Sequence, residues 1–328
     1  MTAHARILGT GSRLPQRVVS NAELEQLVDT SDEWIVQRTG IRSRHILGEG
    51  EQVSELGVAA AKDALVAAGR DAEEIDLLIV ATNFPEMILP GTSPFIAAGV
   101  GLGDTPFFDM KAGCSGFVYG MAVASGLLSA GVCKCLLLVG IEALSRMTDW
   151  TDRKTCVLFG DGAGAVVMGR GENEQGGILG TSIHADYSKA MLLHLPSGGT
   201  RSPASHETVD QRQHFIKMEG AGVYRSAVSM MARASLEALD SAGMTLDEVD
   251  WLIPHQANSR IIESLVRRIG IHPDRVIINL DRVANTSTAS IPIALDEAVR
   301  DGRIKPGDRV LLTAFGAGAC FGAVIAQM

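Results

Sequence analysis

Basic residues are scarce: 29 Lys and Arg stand against 38 Asp and Glu, a formal net charge of −9 over 328 residues. That scarcity argues against broad nucleic-acid binding, because a surface that tracks phosphates needs a strong excess of positive charge. An acidic partner must therefore meet a local basic patch. Cysteines are few and unpaired in pattern, five of them at 114, 133, 135, 156 and 320. An odd count at irregular spacing does not describe a disulfide framework and suits reduced thiols in the cytoplasm. Cys133 and Cys135 have no second Cys or His pair near them, so they read as buried strand thiols and no metal site is expected. Nothing approaches the ~18 to 20 uninterrupted apolar residues of a membrane span, and MTAHARILGTGSRLP lacks the apolar core of a signal peptide. The expectation is an unexported protein away from membranes. What is abundant is core material: the chain is 46% hydrophobic and 20% charged, enough for two structural halves of ordinary domain size.

An internal comparison supplies the organisation. Residues 64–79 (ALVAAGRDAEEIDLLI) set against 238–253 (ALDSAGMTLDEVDWLI), an offset of 174, agree at 8 of 16 positions, among them Gly69/Gly243, Glu74/Glu248 and Asp76/Asp250. Each copy reads as an amphipathic helix ended by Gly, an acidic turn and a buried strand. An offset of about half the chain makes duplication of a whole unit the economical explanation. The same offset roughly aligns FFDMKAGCSGFVYGMAVASGLLSAG with VIINLDRVANTSTASIPIALDEAVRDG, each a strand, a turn and a helix. The first turn carries Cys114 and the second Asn285. Helices alternating with short apolar strands imply a layered α/β architecture with buried sheets. If the halves pack about a pseudo-twofold axis, equivalent turns face each other across one cleft, and Cys114 and Asn285 become neighbours.

Four stretches then carry chemistry. In KAGCSGFVYG, Cys114 is either a small corner-filler or a nucleophile whose thiolate is favoured by the positive end of a helix. In DWLIPHQANSRII, His255 lies at a strand end beside Gln256 and Asn258, as a structural hydrogen bonder or as a donor to a developing oxyanion. In VANTSTASIP, Asn285 is either an N-cap or a non-titrating amide donor. TAFGAGACFG is a glycine-rich turn whose N–H groups, with that of Cys114, suit an oxyanion hole. GDGAGA at 160–165 lacks the helix that a dinucleotide motif opens, and reads as a tight turn between strands.

Taken with DTSDEWIVQRTGIRSRH and DWTDRKTCVLFGDGAGAVV, these segments span essentially the whole chain. Together they resemble the β-ketoacyl-acyl-carrier-protein synthase III family, condensing enzymes of the thiolase superfamily. The resemblance implies a thiolase-like αβαβα layered fold of two pseudo-symmetric halves, 1–172 holding the nucleophile and 173–328 holding His and Asn. It implies Cys114, His255 and Asn285 as the catalytic set and the N–H groups of Cys114 and Ala317 as the oxyanion hole. Acyl-CoA and malonyl-acyl-carrier protein are the implied substrates, with no metal or redox cofactor. Carried over by position, Trp34 and Arg153 sandwich the CoA adenine, with Arg38, Thr39, Tyr224 and Asn258 completing the CoA site. Arg225, Arg260 and Arg267 meet the carrier protein. Leu89 takes the place of an aromatic that reaches across a homodimer into the acyl pocket, which suggests room beyond acetyl. Ala284 and Ala317 stand where glycines are usual, Lys154 replaces a Gly beside the adenine, and Ala221 replaces an Asn. Other readings stay open: a Cys-His-Asn hydrolase, a non-catalytic binding subunit of the same fold, and a specialised acyltransferase or polyketide-type condensing enzyme.

Overall fold

The computed structural model describes residues 5–171 and 176–328, and the expected boundary at 172/173 lies outside the described residues. Two sheets hold the core. The first contains β1 (Ala5–Arg13), β2 (Leu77–Ala81), β3 (Phe107–Met110), β4 (Cys135–Ala143) and β5 (Asp161–Arg170) in the order β1-β5-β4-β2-β3. The second contains β6 (Gly177–Ala185), β7 (Trp251–Pro254), β8 (Arg309–Gly316) and β9 (Cys320–Gln327) in the order β6-β9-β8-β7. From one edge, each sheet runs through two antiparallel pairings and then a parallel one. The first sheet adds β3 in parallel to β2. In the second, the expected strand VIINL shrinks to a single bridge between Leu252 and Val276. The side chain of Gln256 explains the loss: it donates to Ile277 O at 3.3 Å and accepts from Asn279 N–H at 3.2 Å, occupying the groups a longer strand would pair.

The helices that frame the site are α1 (Asp32–Thr39), α2 (Val53–Ala68), α3 (Gly116–Ser129), α4 (Gly220–Ala242), α5 (Ser259–Ile269) and α6 (Ser290–Arg300). Strand alternation decides where they go, because successive side chains leave a sheet on opposite faces. Leu78, Val80, Leu137 and Val139 meet Ala60, Ala64 and Leu65 of α2 on the outside of the first sheet. Ile79 and Leu138 point the other way, onto Phe117 and Met121 of α3, which also touches Leu312 and Val324 of the second sheet. Helix α6 shares that middle layer through Ile291, Ala294 and Leu295. Met231, Ala234 and Ala238 of α4 cover Leu252, Leu311 and Phe321 outside the second sheet. The result is helix, sheet, helix, sheet, helix, and each fully buried Leu, Ile or Phe contributes roughly 1.5–3 kcal/mol.

The internal repeat has a physical basis in this arrangement. Gly69 and Gly243 end α2 and α4 at φ of 60° and 64°. Glu74 and Glu248 then each accept a backbone N–H at 2.9 Å, from Asp71 and Thr245. Asp76 and Asp250 each tie the next strand in, accepting from Cys135 and Arg309 N–H groups. GDGAGA is not a turn: residues 161–165 are the first half of β5. A Cβ on Gly164 would lie 2.8 Å from Ile293 N, so these glycines let α6 press its backbone onto the strand. No helix among the described residues is long and apolar enough to cross a membrane, and all five cysteines are free.

Candidate active site

Cys114 sits in the turn between β3 and α3, where Gly113 takes φ 60°. The turn after β8 closes directly on it. A Cβ on Gly316 would lie 2.0 Å from Cys114 N, and one on Gly113 would lie 2.3 Å from Ala317 N. Only side-chain-free backbone permits that approach, which brings the Cys114 N–H and the Ala317 turn to one spot. Ala317 carries its methyl outside the left-handed region, since Gly318 at φ 78° and Ala319 at φ 48° make the bend. Ala284 is different. At φ 58° and ψ −162° it holds a conformation that glycine ordinarily occupies, a strain of about 1–3 kcal/mol placed immediately before Asn285.

The Cys114 thiol does not rest as the thiolate that a helix start alone would favour. Burial pushes it up to about 12, and the nearby Glu142 carboxylate adds to the rise, while a contact with Ser287 Oγ at 3.4 Å pulls the other way. Desolvation outweighs the helix terminus here.

His255 follows β7 and is 3% exposed. Its N–H donates to Thr313 O at 2.8 Å, and its Nδ1 lies 2.7 Å from Ser290 Oγ at the start of α6. Ser290 Oγ also accepts from Gln256 N–H at 3.4 Å, and with the Ser290 hydroxyl taken as donor to Nδ1 the ring proton is assigned to Nε2. Burial lowers the imidazole to about 3 and keeps it neutral at ordinary pH.

Asn285 is pinned from both sides, its N–H donating to Leu158 O and its C=O accepting from Gly160 N–H, each at 3.0 Å. Its Oδ1 accepts from Ser287 N–H at 2.8 Å, which leaves the NH2 to face the cleft. The capping reading holds in part: Oδ1 receives the first N–H of the 3-10 turn Ser287–Ala289, which leads into α6 at Ser290, while the amide's NH2 is left over.

Cys114, His255 and Asn285 line one cavity of about 540 Å³ whose mouth carries Trp34, Arg38, Lys154, Arg225 and Arg260. A second cavity of about 380 Å³ meets the first at Cys114 and is walled by Phe84, Leu144, Phe159, Leu195 and Ile216. The thiol therefore stands between a polar-mouthed channel and an apolar chamber.

The outlying residues divide. Thr39, Tyr224, Asn258 and Ala221 line the larger cavity. Asn258 also caps α5 and donates to Arg38 O at 3.1 Å, and Tyr224 OH lies 2.7 Å from Ser264 Oγ. Arg153 stacks on Trp34 with its guanidinium 4.8 Å from the ring centroid. An adenine between them needs roughly twice the ~3.5 Å contact spacing, so Arg153 must swing away before a base enters. Arg267 lies one heptad past Arg260 on α5, beside Ser264 and Glu263 and away from the cavity wall. Leu89 lines neither cavity of its own chain; it is 84% exposed beside Ile88, on a loop near Phe107 and Phe108. Sequence reading missed Asn83, Glu142, Ser287 and Ser290. Two of these lay inside VANTSTASIP, and a carboxylate closing the apolar run CLLLVGIEA was the signal for a third.

The 3-oxoacyl-[acyl-carrier-protein] synthase III model matches residues 108–187, and the model of that enzyme's C-terminal part matches 239–328. A β-ketoacyl-[acyl-carrier-protein] synthase III of Caldanaerobacter subterraneus subsp. tengcongensis is 49% identical, covering 96% of this chain and 95% of the relative. The crystal structure of a 3-oxoacyl-[acyl-carrier-protein] synthase III from Aquifex aeolicus superposes with a TM-score of 0.91 at 42% identity, covering 99% of this chain and 100% of that one. The priming β-ketosynthase of the R1128 polyketide biosynthetic pathway gives 0.90 at 36% identity, covering 99% and 96%. With two cavities meeting at the cysteine, a layered fold and these relatives in agreement, the chain belongs to the β-ketoacyl-acyl-carrier-protein synthase III family.

Proposed function

We propose that Cys114, His255 and Asn285 perform the condensation that starts fatty-acid synthesis, joining an acyl-CoA primer to malonyl-acyl-carrier protein. The observation that carries this assignment is the position of Cys114 at the junction of two cavities, with His255 and Asn285 on the wall of the larger. Cys114 Sγ attacks the primer thioester while the N–H groups of Cys114 and Ala317 receive the oxyanion, and CoA leaves. The acyl chain then occupies the apolar chamber. Malonyl-carrier protein enters by the larger cavity, where the His255 Nε2–H and the Asn285 NH2 donate to its thioester carbonyl. Loss of CO2 gives an enolate held by those two donors. The enolate attacks the acyl-enzyme, and the 3-oxoacyl product departs on its carrier. The reacting groups are side chains and backbone donors, and acyl-CoA is a substrate rather than a cofactor. A panel of acyl-CoA primers with malonyl-carrier protein tests the assignment: free acid alone would identify a hydrolase, whereas labelled 3-oxoacyl-carrier protein supports condensation. Comparing malonyl-CoA with malonyl-carrier protein as extender separates the polyketide-type reading.

The basic mouth supports recognition of an acidic carrier despite the net charge of −9. Arg225 and Arg260 are exposed at that rim. Reversing both to Glu is expected to raise KM for malonyl-carrier protein by ~10-fold or more while KM for acyl-CoA moves less, an effect weakened by added salt. Equal change in both KM values would remove the carrier role.

A second copy of the chain fits the face formed by Ile88, Leu89, Phe107 and Phe108, at the open edge of the first sheet where β3 has one partner. An uncovered strand edge beside exposed apolar side chains is an unstable surface in water. Paired across it, Leu89 would approach the partner's site instead of its own. Sedimentation at micromolar concentration is expected to return twice the 34.7 kDa chain mass, and a species of the single mass would end this reading.

A further inference from the structure

Glu142 is a buried carboxylate for which the chemistry above has no use. It is the next-to-last residue of β4 and has no exposed surface. Its Oε1 accepts from Asn83 N–H at 2.8 Å and from Asn83 Nδ2 at 2.6 Å, and lies 3.3 Å from both Ser287 Oγ and Thr288 Oγ1. Its Oε2 is buried without a hydrogen-bond partner. A glutamine would satisfy the same donors without the several kcal/mol that burying a charge costs. An ionisable group in that place points to a proton.

Ser287 supplies the path. Its Oγ lies 3.4 Å from Cys114 Sγ on one side and 3.3 Å from Glu142 Oε1 on the other, with Asn83 Nδ2 holding it at 3.1 Å. Its backbone is held at φ 52°, outside the usual range for a residue with a side chain, and its N–H simultaneously fixes Asn285 Oδ1. We propose that Ser287 and Glu142 form a proton relay that takes the Cys114 proton during acylation and returns it when the condensed product leaves. The proposal rests on Cys114 being the acylated nucleophile.

The balance closes. As Sγ bonds to the acyl carbon, its proton passes to Ser287 Oγ, the Ser287 hydroxyl proton passes to Glu142 Oε1, and CoA leaves as a thiolate that water protonates. After decarboxylation, the enolate carbon bonds to the acyl carbon and the C–Sγ bond breaks. Glu142 then returns its proton through Ser287 to the departing Cys114 thiolate. One proton is drawn from water per turnover, the number that loss of CO2 from a malonyl carboxylate requires.

The acid strengths suit the path. Burial lifts Glu142 to about 7, with hydrogen bonds from Asn83 and Ser287 opposing the rise, so it can ionise in the working range. The thiol stands far higher, so its proton leaves together with C–S bond formation rather than before it, and the return to the thiolate runs downhill. Cys114 is the titratable group that it faces through Ser287. Asp161, on the neighbouring strand β5, spends its oxygens on Ser145 and Leu47 N–H, and His255 is neutral across the cleft. The polar groups that touch it otherwise, Asn83 after β2 and Ser287 and Thr288 of the 287–289 turn, are neutral amides and hydroxyls.

The test reads Cys114 acylation in single turnovers from pH 5.5 to 9, by quench and intact mass, using purified full-length protein and an acyl-CoA panel. In the unmodified protein the rate is expected to rise with a midpoint near 7, as Glu142 ionises. Glu142→Gln and Ser287→Ala are each expected to lower the plateau by ~10- to 100-fold and to remove that midpoint, with the double variant little worse than either single one. Ser287→Ala keeps the backbone N–H that orients Asn285, so decarboxylation of malonyl-carrier protein should persist and report an intact site even if Glu142→Gln fails to fold. A Ser287→Ala protein that acylates at the original rate with a midpoint still near 7 overturns the relay. Absence of acylation in the unmodified protein defeats the Cys114 assignment instead.

Discussion

Cys114→Ala protein is expected to form no acyl-enzyme and to lose condensation by at least ~10⁴-fold, while still decarboxylating malonyl-carrier protein slowly. The size of the effect follows from where the atoms sit. Of the residues that line both cavities, Cys114, Phe159 and Leu193, the cysteine alone carries a nucleophile, so no neighbouring side chain can receive an acyl group and present it to the larger cavity. Cys320 also borders the acyl chamber, which makes the location of any adduct informative. Peptide mapping that finds the acyl group on Cys320, with condensation retained, would move the nucleophile and sink the assignment. Decarboxylation survives because its donors, the His255 Nε2–H and the Asn285 NH2, are held by Ser290 and Ser287 N–H and not by the sulfur. Folding stability is expected to change little on this substitution, because the resting thiol is neutral and contributes no buried charge. A thermal scan checks that point, separating a chemical defect from a structural one.

Much of this molecule was readable from the chain itself, for reasons that differ from place to place. The repeat was visible because the same covalent devices perform the same backbone tasks twice: a left-handed Gly ends a helix, a Glu caps the next turn and an Asp receives the neighbouring strand. From those positions the facing of the Cys114 and Asn285 turns could be anticipated, and we propose duplication of one ancestral unit as the origin of the two matched sheets. Legibility failed where side chains from distant elements replace backbone pairing. Gln256 takes over the bonds of an expected strand at 276–278, and nothing local to VIINL announces it. GDGAGA looked like a turn because glycine usually marks one, whereas here it makes room for α6. The thiolate expected at Cys114 rested on the helix end alone, and burial, which no sequence window displays, reversed it. Glu142 and Ser287 are 145 positions apart and meet only after both sheets have formed.

Replacing either donor is expected to produce the complementary defect. His255→Ala and Asn285→Ala should each lower condensation by ~10²- to 10³-fold, the usual consequence of removing one donor from a developing oxyanion. Acylation of Cys114 should remain within a few-fold of its original rate, since that step uses the backbone N–H groups of Cys114 and Ala317. Loss of acylation in both variants, with decarboxylation intact, would reverse the proposed division of labour. The same imidazole also leaves a mark on stability. Its folded pKa is lowered from 6.5 to about 3, so the unfolded chain binds an extra proton between those values. That contribution is complete above pH 6.5 and drains away as the pH falls toward 3. Glu142 works in the opposite direction, its folded pKa raised from 4.5 to about 7, so what it adds is fully present below 4.5 and is lost as the pH rises through 7. Between 4.5 and 6.5 the two slopes oppose each other in the unmodified protein. Removing the imidazole leaves the Glu142 slope alone, so the stability deficit of His255→Ala should shrink by roughly 2 kcal/mol between pH 7 and pH 4.5. Urea unfolding at the two pH values measures it, and a deficit that stays constant or widens would mean that the buried ring is charged.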